Sequence, residues 1–187
     1  MLEWSDVQTV DGLKLRLVAS TSGIRTIAFH REGVAEGAPD PIAGAVGGAF
    51  DGAIHGAIHG AIHNQANRLL AETYAQLQAY FSGQLRQFQL PLDMQGTPFQ
   101  LRVWRQLGTI PYGETRSYLQ IATAIGSPAA VRAVGAANGA NPIPIVVPCH
   151  RVIGASGKLV GYGGGLPLKK RLLELEGALA MRLDFRK

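Results

Sequence analysis

Asn141-Pro142-Ile143-Pro144-Ile145-Val146-Val147-Pro148-Cys149-His150-Arg151-Val152 is the stretch from which the rest of the chain is best read. Its three prolines exclude a helix, and the apolar residues between them suit a short buried strand. Pro148 imposes a turn just before Cys149, the one cysteine in the 187 residues. A lone cysteine is most often a small buried hydrophobe; the histidine beside it raises a second reading, an activated nucleophile. Adjacent residues on an extended chain face opposite ways. His150 would therefore reach the thiol only through a turn or a bridging water.

On the carboxyl side of this stretch a helix is expected over Pro167–Glu176, stopped by Gly177. Glu176 at its end, and Lys169, Lys170 and Arg171 near its start, all oppose the helix dipole. Glu176 is either a solvated residue or the partner of a nearby group. The cations serve either solubility or attraction to phosphate. On the amino side, Thr97-Pro98 reads as the cap and first residue of a helix with Phe99, Val103, Trp104 and Leu107 on one face. Ser117 caps a short helix with Tyr118, Ile121, Ala122 and Ile125, and Gly126 ends it. Ser127-Pro128 opens another, Ala129 to Ala137. Two short helices across a glycine turn are a helix-turn-helix signal, and equally a plain helical hairpin. The second helix is built of small residues, among them Ala129, Ala133 and Gly135, with one long cation, Arg132. Such a surface packs closely on another helix, or enters a narrow groove of DNA with the arginine inserted.

In the amino-terminal half, Leu13 to Leu17 alternate in the period of a half-buried strand, Ser20–Gly23 form a turn, and Ile24–Phe29 return. A helix follows from Gln65 to Ser82 with Leu69, Leu70, Tyr74, Leu77 and Phe81 as its stripe. Leu90-Pro91-Leu92-Asp93 breaks the periodicity, so the expected organisation is two domains, 1–90 and 91–187. Between strand and helix, residues 33–63 are rich in glycine and alanine, and Gly-Ala-Ile-His occurs three times in tandem. His55, His59 and His63 would share a helix face, a spacing able to bind a metal such as zinc. A low-complexity insertion with no metal site is the favoured reading.

Composition narrows the class. Apolar residues are 47% and charged residues 17% of the chain, which excludes wholesale disorder. No apolar run is long enough to span a membrane, and the acidic start Met1–Asp6 lacks the apolar core of a secretory signal. One cysteine permits no intramolecular disulfide and no multi-cysteine zinc site, which suits a reducing cytoplasm. The net charge is +5, yet residues 1–96 carry six Lys/Arg against nine Asp/Glu, and residues 97–187 carry twelve against four. A basic half points to a bound polyanion, nucleic acid foremost.

Pro148-Cys149-His150-Arg151-Val152 resembles the signature of the O6-alkylguanine-DNA alkyltransferases. The resemblance runs from Thr97 to about Gly177. It includes Pro111-Tyr112-Gly113-Glu114, Ser117-Tyr118, Arg132-Ala133-Val134-Gly135, Asn141-Pro142, Gly161-Tyr162 and Leu172–Gly177 in the same order and spacing. It implies an α+β fold: a small antiparallel sheet with a helix, ribonuclease H-like, then a mainly helical, winged helix-turn-helix-like domain carrying the reactive cysteine. It further implies a monomer that binds duplex DNA containing O6-alkylguanine and moves the alkyl group irreversibly to Cys149, without cofactor or metal. Alkylated thymine is a second candidate substrate. Cys149, His150, Glu176, Asn141 and Tyr118 would do the chemistry. Ser127, Ala129, Arg132, Ala133, Gly135 and Tyr118 would meet DNA. Val152, Tyr162, Gly163, Lys169 and Pro144 would line the base pocket.

The chemistry is coherent with those residue types. An ordinary cysteine is only a few per cent thiolate at neutral pH, so His150 would take its proton and Glu176 would steady the imidazolium. Some members of the resembled family hold zinc through two cysteines and two histidines, which one cysteine cannot supply. Three other functions remain open at the level of sequence. They are a non-catalytic lesion binder (such relatives replace the cysteine), a helix-turn-helix redox regulator, and a cysteine hydrolase that turns over.

Overall fold

The computed structural model describes residues 2–29 and 65–179. The Gly-Ala-Ile-His repeats, with His55, His59 and His63, lie outside the described residues.

β1 (Glu3–Gln8), β2 (Lys14–Ala19) and β3 (Ile24–Phe29) form an antiparallel meander. The alternation read in β2 holds: Leu15 and Leu17 are fully buried, while Arg16 turns outward and pairs with Asp6 of β1 across the register. β1 is not visible to periodicity, because Glu3–Gln8 carries too few apolar residues to show a period. α1 (Gln65–Phe81) packs on this sheet through Ala66, Leu69, Leu70, Thr73, Leu77, Tyr80 and Phe81. Tyr74, expected in the stripe, is only half-buried.

The chain then returns along β3. Ile24 exchanges backbone hydrogen bonds with Pro91 and Asp93 at 2.8 Å each, and the Asp93 carboxylate takes Arg25 and Ser20. Gly23 is required here, since a Cβ would lie 2.6 Å from the Pro91 oxygen.

The carboxyl-terminal half is built from α2 (Pro98–Gly108), β4 (Arg116–Ser117), α3 (Tyr118–Ala124), α4 (Val131–Gly139), β5 (Val152–Ile153) and α5 (Gly165–Leu175). Thr97 and Ser117 cap α2 and α3 as expected, each in a reciprocal capping box, with Gln100 and Gln120 respectively. Gly126, at φ 72°, turns the chain out of α3. The next helix starts later than expected. Pro128–Ala130 first tightens into a 3-10 turn, closed by Ala130 N–H to the Ser127 carbonyl at 2.9 Å, and α4 begins at Val131. The Trp104 indole N–H donates to the Ala137 carbonyl at 2.8 Å and ties α2 to α4. β4 and β5 pair in parallel, Arg116 with Val152 and Ser117 with Ile153, and bring the start of α3 beside the segment after Cys149. Among the described residues no helix is long and apolar enough to cross a membrane.

Candidate active site

The proline-rich stretch is not a strand. Residues 142–147 turn back on themselves, and the Asn141 side chain takes the place of a neighbouring strand. Its amide donates to the Val147 carbonyl at 2.7 Å and its oxygen accepts the Ile143 N–H at 3.1 Å. Inside this loop Ile145 is fully buried at φ 74°, a left-handed conformation that a β-branched residue adopts only under constraint. Pro144 is buried in the same loop. The loop also touches the first half of the molecule, because the Ile27 N–H of β3 donates to the Pro142 carbonyl at 2.9 Å.

The loop delivers the chain into a 3-10 turn, Cys149–Arg151. The expected extended geometry, with neighbours facing opposite ways, gives way to three residues per turn. His150 and Arg151 both reach one carboxylate, Glu176, at the carboxyl-terminal cap of α5. His150 Nε2 lies 3.0 Å from Glu176 Oε1. Arg151 donates from Nη2 to Oε1 at 2.8 Å and from Nε to Oε2 at 2.9 Å, while its Nη1 holds the Ile110 carbonyl at 2.6 Å. The Tyr80 hydroxyl donates to Oε1 at 2.7 Å. The side chains of His150 and Glu176 are both 0% exposed. A solvated Glu176 is thereby excluded.

Burial alone would raise the Glu176 carboxyl, but hydrogen bonds and charge from His150 and Arg151 outweigh it and hold it down to about 2. The carboxylate therefore stays ionised and can only accept, so His150 carries its proton on Nε2. Burial pushes the His150 imidazolium down, against the pull of Glu176. The neutral ring keeps Nδ1 as an acceptor, and Nδ1 meets no hydrogen-bond partner among the described residues.

Cys149 is 4% exposed. Burial raises its thiol, opposed by the Asn141 amide, the Lys169 charge and the backbone N–H groups of Cys149 and His150. Around the thiol stand two phenols, Tyr118 and Tyr162. Both are raised first by burial and then by the proximity of Cys149. Tyr162 stacks edge-on to the His150 ring at 6.3 Å, and its buried hydroxyl has no partner among the described residues. Tyr118 opens α3 with its hydroxyl at 3.5 Å from the Val160 carbonyl.

Lys169 departs from the solvated residue that its place among three cations suggests. It is fully buried, and its ammonium donates to the carbonyls of Val152 at 2.6 Å, Val160 at 2.9 Å and Gly161 at 3.3 Å. Three carbonyls stand in for water around the amine; burial lowers it to about 8, opposed by the charge at Cys149, so it stays mostly charged at neutral pH. Its neighbours Lys170 and Arg171 are exposed. Gly163 is exposed in the loop before α5, with open space where a Cβ would stand.

On α4, Arg132 and Ala133 form an exposed row with Ala129 of the preceding turn. Gly135 faces inward instead, where a Cβ would come within 3.9 Å of the Tyr118 ring. Ser127 is half-buried in the turn between the helices. Among the described residues no cluster of three or more metal-ligating side chains forms.

Residues 98–178 match the 6-O-methylguanine DNA methyltransferase DNA binding domain, and residues 14–94 match the ribonuclease-like domain of the same protein. The crystal structure of Mycobacterium tuberculosis O6-methylguanine methyltransferase superposes with a TM-score of 0.71 at 40% identity, over 95% of this chain and 94% of that one. The chain belongs to the O6-methylguanine DNA methyltransferase family. Mycobacterium tuberculosis OGT in complex with DNA is similar with a TM-score of 0.70 at 44% identity, covering 94% of this chain and 92% of that one. In sequence, the methylated-DNA–protein-cysteine methyltransferase of Mycobacterium tuberculosis is 67% identical over 105 residues, 56% of this chain and 64% of that protein. The constitutive enzyme of Bacillus subtilis is 57% identical over 108 residues, 57% of this chain and 66% of that protein. The matched sequence thus spans slightly under two thirds of these relatives.

Family membership agrees with the fold class read from the sequence. Sequence reasoning misses the roles of two residues in the site. Arg151 enters it only as part of a signature, not as the charge that neutralises Glu176. Tyr80 escapes it altogether, although it stands three residues after Leu77 on the buried face of α1, a spacing that the helical period contains.

Proposed function

We propose that this protein repairs alkylated DNA by transferring the alkyl group of O6-alkylguanine to Cys149, once per molecule. The observation that carries the proposal is the buried Cys149 turn backed by a neutral His150 with an open Nδ1 and an ionised Glu176 behind it. The thiol proton passes through a bridging water to His150, and Glu176 steadies the imidazolium through Nε2. The sulfur then forms a bond to the alkyl carbon as the carbon–oxygen bond breaks, and the electron pair goes to the purine oxygen. Tyr118, kept protonated by burial and by the charge at Cys149, shares its proton with the base as that charge develops. The proton held by His150 then returns through water to Tyr118, so that in balance guanine leaves with one proton gained and the cysteine has exchanged its proton for the alkyl group. A neutral thioether does not readily give up its alkyl group, because thiolate is a poor leaving group from it, so the sulfur is not regenerated.

Duplex DNA is the partner in this reading, in keeping with the similarity to Mycobacterium tuberculosis OGT in complex with DNA. The exposed row Ala129, Arg132 and Ala133 suits a groove, with Arg132 filling the space of an everted base. Eversion costs a few kcal/mol, less for a damaged pair. Ser127 and Gly135 support this surface from the turn and from behind α4. Val152, Tyr162, Gly163, Lys169 and Pro144 shape the base pocket and its walls. Residues 1–90 act as a supporting domain, and 91–187 carry the chemistry and the DNA surface. The relay lies within one chain, which suits a monomer, and a free thiol suits the cytoplasm. A redox regulator is disfavoured because sensor cysteines are exposed and of low pKa, whereas this thiol is buried and raised. The intact cysteine disfavours a purely non-catalytic binder.

Intact-mass measurement after mixing with an O6-methylguanine duplex tests the proposal. A single added methyl, mapped to Cys149 and lost in Cys149→Ser, is expected. Repeated turnover, or no gain by folded protein, overturns it and favours the hydrolase or the binder respectively.

A further inference from the structure

We infer that Tyr80, on α1 in the amino-terminal half, is a positioning residue for alkyl transfer, its hydroxyl holding Glu176 so that His150 stays neutral with Nδ1 open. The inference rests on the reading of Cys149 as alkyl acceptor. Glu176 Oε1 accepts three hydrogen bonds, from Tyr80, Arg151 and His150, and Oε2 accepts one from Arg151. Four donors on its two oxygens, three of them gathered on Oε1, hold the carboxylate in one orientation. Tyr80 contributes the shortest of these bonds, at 2.7 Å.

The Tyr80 ring cannot swing away. It is fully buried and meets Phe81 edge-on at 5.2 Å, Phe88 at 5.3 Å and Tyr112 edge-on at 6.1 Å. Burial and the carboxylate both push its phenol up, so it keeps its proton and acts only as a donor. Each donor on Glu176 spreads the negative charge and lowers its basicity. A less basic carboxylate draws less on the His150 Nε2 proton, and the imidazolium is correspondingly less stable. Tyr80 therefore works with Arg151 against protonation of His150.

The other groups facing this centre do not substitute for it. Tyr112 spends its hydroxyl on the Leu175 carbonyl, Lys169 is held by three carbonyls, Arg86 lies over the Tyr112 ring, and Tyr162 borders His150 from the loop before α5. A phenylalanine at position 80 would fill the same ring space, so packing does not explain the hydroxyl.

The test compares the full chain with Tyr80→Phe. Single-turnover methyl uptake from an O6-methylguanine duplex is followed from pH 5 to 9, and the His150 ring nitrogens are titrated by NMR without DNA. In the variant the acid midpoint of the rate and the His150 titration are expected to move up together by roughly half a pH unit. Below the midpoint the rate falls about threefold, as that shift implies, while above pH 8 it stays within about twofold. An equal loss of rate at every pH with an unmoved His150 titration, or no change in either, overturns the inference. If the unaltered protein takes up no methyl, the proposed function fails, and the His150 titration still decides the coupling. If Tyr80→Phe does not fold, the unaltered protein decides it. An unprotonated Nδ1 and a titration below the ordinary value of 6.5 are expected, and a protonated Nδ1 at pH 7 overturns the inference.

Discussion

At the scale of single residues, the decisive pair is Glu176 with Arg151. Both are buried, and each makes the other tolerable: a guanidinium left alone in that place would be an uncompensated charge. Glu176→Gln keeps the shape and removes the charge. We expect it to cost about 3–5 kcal/mol of stability, as breaking one side of a buried pair does, measured by urea unfolding at pH 7. The acid limb gives a sharper check. Glu176 is lower in the folded chain than its ordinary 4.5, at about 2, so the unfolded state binds more protons between those values. Stability contributed by the carboxylate is complete above 4.5 and is lost as the pH falls toward 2. His150 is also depressed when folded, so stability begins to fall below its ordinary 6.5. Glu176→Gln is expected to keep the loss that begins near 6.5 and to abolish the additional loss below 4.5. A variant with the same two-limbed profile as the unaltered chain would show that another group controls the acid transition.

At the scale of elements, local rules read well where one segment suffices. Thr97 and Ser117 are legible as caps because a capping box is a pattern of four residues. Leu15 and Leu17 are legible because alternation marks a strand with one buried face. The segment 142–147 misleads because its hydrogen bonds are closed by a side chain, that of Asn141, which periodicity does not register. Lys169 misleads because its partners are carbonyls of β5 and of the loop before α5, brought together only by the fold. In α4, Arg132 is exposed while Gly135 faces the Tyr118 ring, so under the proposed function the two serve separate jobs, Arg132 the one toward DNA. Arg132→Ala is therefore expected to slow methyl uptake from duplex DNA at least tenfold, roughly the loss of 1.4 kcal/mol of barrier lowering. Reaction with free O6-benzylguanine should stay within about twofold. Single-turnover rates for the two substrates check it, and equal slowing of both would remove the arginine from the groove.

At the scale of the whole molecule, the two halves differ in charge and meet at the site. The Ile27 amide of β3 braces the cysteine loop, and the Tyr80 hydroxyl closes the carboxylate. Tyr80 and Glu176 are 96 residues apart in sequence, so no local pattern predicts their contact. The charge division, by contrast, is visible in composition, and under the proposed function it bears on how DNA would be held. Residues 97–187 carry twelve Lys/Arg against four Asp/Glu. Glu114 and Glu174 are engaged by Arg116 and Lys170, and Glu176 by Arg151, while Arg102, Arg105 and Arg132 are exposed. A surface of that kind binds phosphates and releases their counterions, which makes affinity fall with salt but carries no base information. If three to four phosphates are neutralised, log K should fall with log salt at a slope of roughly −3. The slope should be the same for duplexes of unrelated sequence and for undamaged DNA. Reaction with free O6-benzylguanine, which has no phosphate, should show no such slope. Fluorescence anisotropy across roughly 50–300 mM salt, a range over which phosphate contacts weaken measurably, beside single-turnover rates on the free base, measures both. A flat binding curve, or a slope shared by the free base, would mean that the basic half serves solubility and that the duplex is held by other contacts.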